Sequence, residues 1–160
     1  MQKTRWLTFC VALALSFALP VLPSWAEGKL VVVEKFSKGN TELKVAHYTE
    51  PAALKDMQKV GLIGIASPTR NSFAFDSADW NKFIAICAKA AAVRSATWTV
   101  VGTMSESGTS DISQITISSG PGMNFVITSP KVGTVAYALS PADFSRFQKG
   151  LLRVKSYLSQ

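Results

Sequence analysis

Hydrophobic and polar residues alternate along most of the chain in short runs, and this pattern predicts β-strands. Gly, Pro, Ser and Asn residues separate the runs, which is typical of antiparallel hairpins. Four runs fall in the first half of the chain and four in the second. The predicted strands are 30–36, 41–48, 60–66 and 71–75, and then 97–104, 112–118, 124–128 and 134–139.

Each group of four predicted strands is followed by a segment whose apolar residues are three and four positions apart. This spacing places them on one face of a helix. Asp76 is predicted to cap the first helix and Ser140 the second, with Pro141 as the first helical residue. Asp79 and Asp143 follow these caps by three residues, near the positive end of each helix dipole. The apolar stripes are Trp80, Phe83, Ile84, Cys87 and Ala91, and then Phe144, Phe147, Leu151, Val154 and Leu158.

One phrase of the sequence occurs twice. FAFDSADWNKF (73–83) is similar to YALSPADFSRF (137–147), and just upstream IASP (65–68) matches ITSP (127–130). The second copy has two more residues in the turn that follows, where insertions are tolerated because few buried contacts are lost. The match covers strand, turn, strand and helix start, and it therefore indicates a duplicated structural unit.

The predicted fold class is α+β, built from two tandem β-β-β-β-α repeats at 27–95 and 96–160. A single unit of about 65 residues would bury only a marginal core. Two units in one chain can pack as an intramolecular pseudo-dimer about an approximate two-fold axis. Each antiparallel sheet would then be covered on one face by one helix.

The N-terminal segment, 1–26, has the features of a secretory signal peptide. Lys3 and Arg5 precede an apolar run over 7–22, and small residues precede a predicted cut after Ala26. The run is short for a membrane span and is broken by Pro20; the alternative is an uncleaved N-terminal anchor. We expect a secreted or periplasmic protein with no stable membrane span after signal cleavage.

The exported chain would be mildly basic. Of the 17 Lys and Arg residues, Lys3 and Arg5 precede the predicted cut, which leaves 15 basic and 10 acidic residues, or a net charge of +5. Some of the basic residues lie beside the apolar stripes of the predicted helices, as they would on a polyanion-binding surface or on an ordinary solvated helix face. The candidate polyanion-binding residues are Lys82, Lys89, Arg146, Lys149 and Arg153.

The sequence predicts no catalytic, cofactor or metal site. Asp79 and Asp143 are explained by their places in the first helical turns. His47, the only histidine, alternates with Leu43 and Val45 on a strand and has no set of metal ligands beside it. Cys87 lies on an apolar stripe, where a buried and unreactive thiol is expected, and no partner remains for an internal disulfide after cleavage. We therefore expect a non-enzymatic protein.

In topology, the tandem β-β-β-β-α arrangement resembles the single-stranded nucleic-acid-binding folds of the PC4, Whirly and PUR-repeat kind. The resemblance implies curved sheets, paired helices and strand binding across the sheet by basic and aromatic residues. The second copy departs from it, because Lys131 is the only basic residue within 96–139. We expect a binding module for a protein or peptide partner. The alternative is polyanion or single-stranded nucleic-acid binding through the basic helix faces.

Overall fold

The computed structural model describes residues 29–49, 59–93, 95–105 and 113–160; the predicted signal peptide, 1–26, lies outside them. Within these residues, eight strands and two α-helices make two units of the same β-β-β-β-α order, which confirms the α+β class and the repeat architecture. The first unit contains β1 (Lys29–Lys38), β2 (Thr41–Thr49), β3 (Gly61–Ser67), β4 (Thr69–Phe75) and α1 (Ser77–Ala92). The second contains β5 (Thr99–Ser105), β6 (Gln114–Ser119), β7 (Met123–Ser129), β8 (Gly133–Leu139), a 3-10 turn (Pro141–Asp143) and α2 (Phe144–Leu158).

Both sheets are antiparallel meanders in which each strand pairs with the next in sequence, in the orders β1-β2-β3-β4 and β5-β6-β7-β8. Each first strand carries a one-residue bulge at an equivalent place, Val33 in β1 and Val101 in β5. A bulge bends its strand and reverses the alternation of side chains beyond it. Because of this reversal, Glu34 pairs with Val45 and both side chains lie on the helix-covered face.

The turn between the third and fourth strands contains the two-residue length difference between the repeats. Pro68 alone separates the paired residues Ser67 and Thr69, whereas 130–132 separate Ser129 and Gly133. The prediction that the insertion lies in this turn is confirmed. Gly133 has a φ of +88°, a conformation that glycine adopts without steric cost.

The two repeats exchange their helices. Helix α1 packs on β5, β6 and β7 of the second sheet, and α2 packs on β1, β2 and β3 of the first. The helices also contact each other, and the sheets meet where β4 lies against β7 and β8, and β3 against β8. The predicted intramolecular pseudo-dimer is confirmed, and each sheet is covered by the helix of the other repeat. No helix in the described part of the chain is long and apolar enough to cross a membrane.

One core runs through both repeats. The ring centroids of Phe83 and Phe125 are 6.3 Å apart, and those of Phe125 and Phe147 are 5.2 Å apart. The indole Nε1–H of Trp80, which is fully buried, donates to the Leu151 carbonyl oxygen at 3.1 Å. Burial of each such large side chain contributes roughly 1.5–3 kcal/mol. Because the Phe83–Phe125 contact and the Trp80–Leu151 hydrogen bond join the two repeats, neither repeat has a complete core by itself.

The two helices begin differently. The backbone N–H of Asp79 donates to Asp76 Oδ1 at 2.7 Å, so the predicted cap of α1 is confirmed. The predicted side-chain cap at Ser140 is wrong, because its hydroxyl donates to Asp143 Oδ2 at 2.8 Å and accepts no backbone bond. The 3-10 turn that starts with Pro141 lies between Ser140 and α2. Pro141 has no backbone N–H to donate. The first hydrogen bond of the 3-10 turn is the one that the backbone N–H of Asp143 donates to the Ser140 carbonyl oxygen.

Candidate functional site

Two of the five predicted polyanion-binding residues are paired with a carboxylate of the other repeat. Arg146 Nε lies 3.4 Å from Glu34 Oε2, and Arg153 Nη1 lies 3.3 Å from Glu34 Oε1. Arg146 also donates to the Lys35 carbonyl oxygen at 2.9 Å, and its guanidinium carbon lies 4.2 Å from the centroid of the Phe36 ring. Only 16% of the Glu34 side chain is exposed. These two arginines therefore attach α2 to β1 and neutralise a carboxylate there.

The other three predicted residues are lysines on the exposed sides of the helices. Lys82 Nζ lies 2.8 Å from Asp79 Oδ1 in the first turn of α1, and this hydrogen bond raises the pKa of the Lys82 ammonium group. Lys89 is exposed on α1 and Lys149 is exposed on α2. The helix faces thus offer fewer uncompensated cations than the sequence alone indicates.

The outer sheet faces, which are those turned away from the helices, carry two small apolar patches. Side chains of directly opposed residues in a sheet share a face. The first patch consists of Leu30, Val32 and Tyr48, with exposed fractions of 46%, 42% and 44%. The second consists of Trp98 and Val100, at 48% and 62%. These five side chains are most of the large apolar ones that the described residues expose.

The two patches occupy equivalent places in the repeats. Leu30 precedes the Val33 bulge by three residues, as Trp98 precedes the Val101 bulge. Leu30 pairs with Tyr48, whereas Trp98 lies against Gly120, at the corresponding position beside β6. Each outer face therefore presents one aromatic ring at the same place. In the first repeat β2 carries the ring, as Tyr48, and in the second repeat the residue before β5 carries it, as Trp98.

The charges on the two outer faces differ. The first face carries Lys35, Lys44 and Arg70, and Glu42 forms ion pairs with the two lysines. Hydrogen bonds from Lys35 and then Lys44 lower the pKa of the Glu42 carboxyl group. The described outer positions of the second sheet are uncharged and hold Val100, Thr103, Ser105, Gln114, Thr116, Ser118, Asn124, Val126, Thr128, Thr134, Ala136 and Ala138. Their hydroxyls form cross-strand bonds, such as the 3.1 Å contact between the hydroxyl oxygens of Thr103 and Thr116.

A cleft of about 410 Å³ opens beside the second patch. Trp98 forms one wall, and the turn that contains Gly122 lines it next to the end of β8. Asp143 and Ser140 line the cleft on the second repeat, and Lys38 comes from β1 of the first. We did not predict this site from the sequence, because Trp98 lies in a run that fits a buried strand equally well. The adjoining SSGPG turn was the available signal, since glycines there leave space beside an aromatic ring.

His47 packs against helix α2. Its ring stacks on Tyr157 of α2, with centroids 3.8 Å apart and planes 21° apart. Tyr157 also donates its hydroxyl to the Tyr48 carbonyl oxygen at 2.7 Å. Ser119 has the equivalent place in the second sheet, and its hydroxyl lies 2.6 Å from the carbonyl oxygen of Ala90 in α1. Both residues thus attach the C-terminal end of the exchanged helix to a sheet.

The chemistry of the described residues that could hold a metal or act as a nucleophile is limited. No group of three or more His, Cys, Asp or Glu side chains within these residues is placed to hold a metal ion. Cys87 is buried against the second sheet, and burial raises the pKa of its thiol well above the ordinary value. The outer faces offer aromatic, hydroxyl and ammonium groups, which are suited to contact with a ligand.

In comparisons with known proteins, no protein-family model and no curated protein sequence matches this chain.

Proposed function

We propose that the protein is an exported, non-enzymatic binding module that contacts its ligand through the outer faces of its two sheets. One observation carries this proposal: the two apolar patches occur at equivalent places in both repeats. Their positions repeat although their residues differ, with Tyr48 contributing the ring in one repeat and Trp98 in the other. A ligand-contact role explains why each repeat keeps an aromatic ring at this exposed place.

The energetic cost of exposing apolar side chains to water supports the same proposal. Exposed apolar surface is unfavourable in water, at roughly 25 cal/mol for each Å². Contiguous exposed patches on soluble proteins commonly mark binding surfaces, whereas single exposed side chains need no explanation. Leu152 on α2 is such a single case, since it is 55% exposed and belongs to neither patch. It therefore supplies a matched control for both patches.

Site-specific photo-crosslinking tests the proposal. A benzophenone amino acid would replace Tyr48, Trp98 or, as the control, Leu152, in the chain expressed by cells that export it. We expect a crosslinked product at Tyr48 or Trp98 and none at Leu152, because benzophenone reacts only with groups held against it. Equal crosslinking at all three positions, or none at either patch, would contradict the proposal.

The charge of the first outer face favours a second candidate function, polyanion binding. Lys35, Lys44 and Arg70 lie on the same face as the exposed ring of Tyr48, and single-stranded polyanions bind to such combinations of cations and aromatic rings. The helix faces proposed from the sequence remain the competing surface for this function. Lys89 and Lys149 are the residues of that surface without a described ion pair.

Heparin and single-stranded DNA titrations at two salt concentrations separate these surfaces. The double variant Lys44→Gln/Arg70→Gln removes cations from the first outer face, and Lys89→Gln/Lys149→Gln removes the same number from the helices. Loss of affinity and a shallower salt dependence in the first variant alone would favour the sheet. The same loss in the second variant alone would favour the helices. Absence of binding by the unmodified chain at low salt would exclude polyanion binding.

A further inference from the structure

We propose that the cleft beside Trp98 binds a sugar ring of an uncharged oligosaccharide. This inference rests on the proposed function, because the cleft adjoins the second apolar patch. A sugar ring has a face of C–H groups and a rim of hydroxyls. A site for it therefore needs one flat apolar wall and several hydrogen-bonding groups around it.

Trp98 provides the flat wall. Its side chain is half exposed, and the ring lies directly over Gly120, where an added Cβ atom would come within 2.8 Å of it. Glycine at 120 thus lets the indole lie close to the backbone, and the indole also lines the cleft. A ring held in place before binding loses little conformational entropy when a ligand stacks on it.

The rest of the lining provides hydrogen-bonding groups of balanced charge. Asp143 accepts the Ser140 hydroxyl bond at one carboxylate oxygen, and a carboxylate has further lone pairs for ligand hydroxyls. Ser37 and Lys38 reach the same cleft from β1. One lysine and one aspartate line the cleft, and Arg146, whose Nη2 lies 4.0 Å from Asp143 Oδ1, is also paired with Glu34, so the lining has no strong preference for an anion or a cation. This balance favours an uncharged ligand over a nucleic acid or an ammonium compound.

The size and surroundings of the cleft fit one ring of a longer chain. A volume of about 410 Å³ lies in the lower part of the range usual for small-ligand sites, roughly 300–1,000 Å³. Ala138 lines the cleft and belongs to the outer-face row of Asn124, Ser118 and Val100. The cleft therefore opens onto the uncharged face, across which further sugar units can extend among Ser, Thr, Asn and Gln side chains.

Calorimetric titration of the chain with four uncharged tetrasaccharides tests this inference. The probes are cellotetraose, maltotetraose, mannotetraose and the tetramer of N-acetylglucosamine, with a heparin tetrasaccharide as the charged comparison. We expect at least one uncharged probe to bind, more tightly than heparin, and its affinity to fall at least tenfold in Trp98→Ala. Leu152→Ala, outside both patches, should bind with unchanged affinity. The melting temperature of each variant is measured alongside, to verify folding.

A second variant tests the inference independently, in case Trp98→Ala does not fold. Gly120→Ala keeps the indole but displaces it with the new methyl group, so binding should weaken severalfold while the chain remains folded. Failure of all four uncharged probes to bind, tighter binding of heparin, or full affinity in Trp98→Ala would overturn the inference. If no uncharged probe binds but benzophenone at Trp98 still crosslinks, the proposed function stands without this ligand class. Absence of probe binding together with absence of crosslinks at both Tyr48 and Trp98 would remove both.

Discussion

The two exchanged helices meet their sheets through interfaces of opposite chemistry. Where α2 crosses β1, Gly150 faces Glu34, which is paired with two arginines of the helix. Where α1 crosses β5, Ile86 faces Gly102. Gly150 and Ile86 are equivalent positions, each three residues after the repeated phenylalanines at 147 and 83. In one interface the large residue belongs to the strand, and in the other it belongs to the helix.

This reversal makes the helix exchange specific. If each helix covered the sheet of its own repeat, Ile86 would meet the Glu34 carboxylate, and Gly150 would meet Gly102 and leave a cavity. Overpacking of Ile86 against the Glu34 side chain and formation of a cavity beside Gly102 are both destabilising. The divergence of the two repeats therefore favours the observed arrangement and disfavours the unexchanged one.

The largest expected effect follows from making the two interfaces alike. Gly150→Ile would bring a Cβ atom within 2.7 Å of Glu34 Cγ, which cannot move away without breaking its ion pairs. We expect a loss of about 3 kcal/mol in the free energy of unfolding, as for other overpacked sites. Urea denaturation measures this change.

The rescue variant Glu34→Gly/Gly150→Ile gives the first interface the residue sizes of the second. It should be more stable than Gly150→Ile by at least about 1 kcal/mol, because residues in contact are energetically coupled. Gly102→Glu/Ile86→Gly is the reciprocal variant. Additive effects of the two single substitutions at either interface would mean that size complementarity does not hold that helix in place.

A smaller effect distinguishes the interfaces by their response to salt. Glu34→Gln removes the charge that both arginines share, and Ile86→Val removes one methylene group; we expect each to lower the free energy of unfolding by about 1 kcal/mol. The arginine side chains are 51% and 64% exposed, so salt screens their attraction to Glu34. Denaturation at low and at 1 M salt should show the Glu34→Gln effect shrinking and the Ile86→Val effect unchanged. Equal salt responses would contradict the contrast.

The smallest expected effect concerns Cys87, on the helix face that packs on the second sheet. Burial raises the pKa of its thiol, so the folded chain should react very slowly with Ellman's reagent at pH 8. Because the thiol ionises more easily in the unfolded chain, its contribution to stability is present below pH 9.0 and is lost as the pH rises further. A Cys87→Ala variant should lack this part of the alkaline loss. Fast labelling of the folded chain would show that α1 opens readily.

Much of the fold follows from local sequence. Period-two runs predicted all eight strands, and the repeated phrase predicted the unit, the turn insertion and the Asp76 cap. The bulges at Val33 and Val101 could not be predicted from alternation, since each one reverses it, and Glu34 is brought to the covered face for that reason. The helix exchange was also beyond prediction, because an apolar stripe fits either sheet equally well.

The candidate site was less predictable than the fold. The basic residues of α2 read as free cations in sequence, but Arg146 and Arg153 meet Glu34, more than a hundred residues earlier in the chain. The role of Trp98 depends on its packing over Gly120 and on the arrival of β1 at the cleft. Contacts that join residues so far apart in sequence have no signature in local periodicity.

Because the helices are exchanged, the first sheet is synthesised long before the helix that covers it. During synthesis, β1, β2 and β3 emerge first, yet α2, which covers them, follows all eight described strands in sequence. The first sheet therefore cannot complete its core until α2 has left the ribosome. A chain of this topology therefore keeps an uncovered apolar sheet face while all the strands of the second repeat are made.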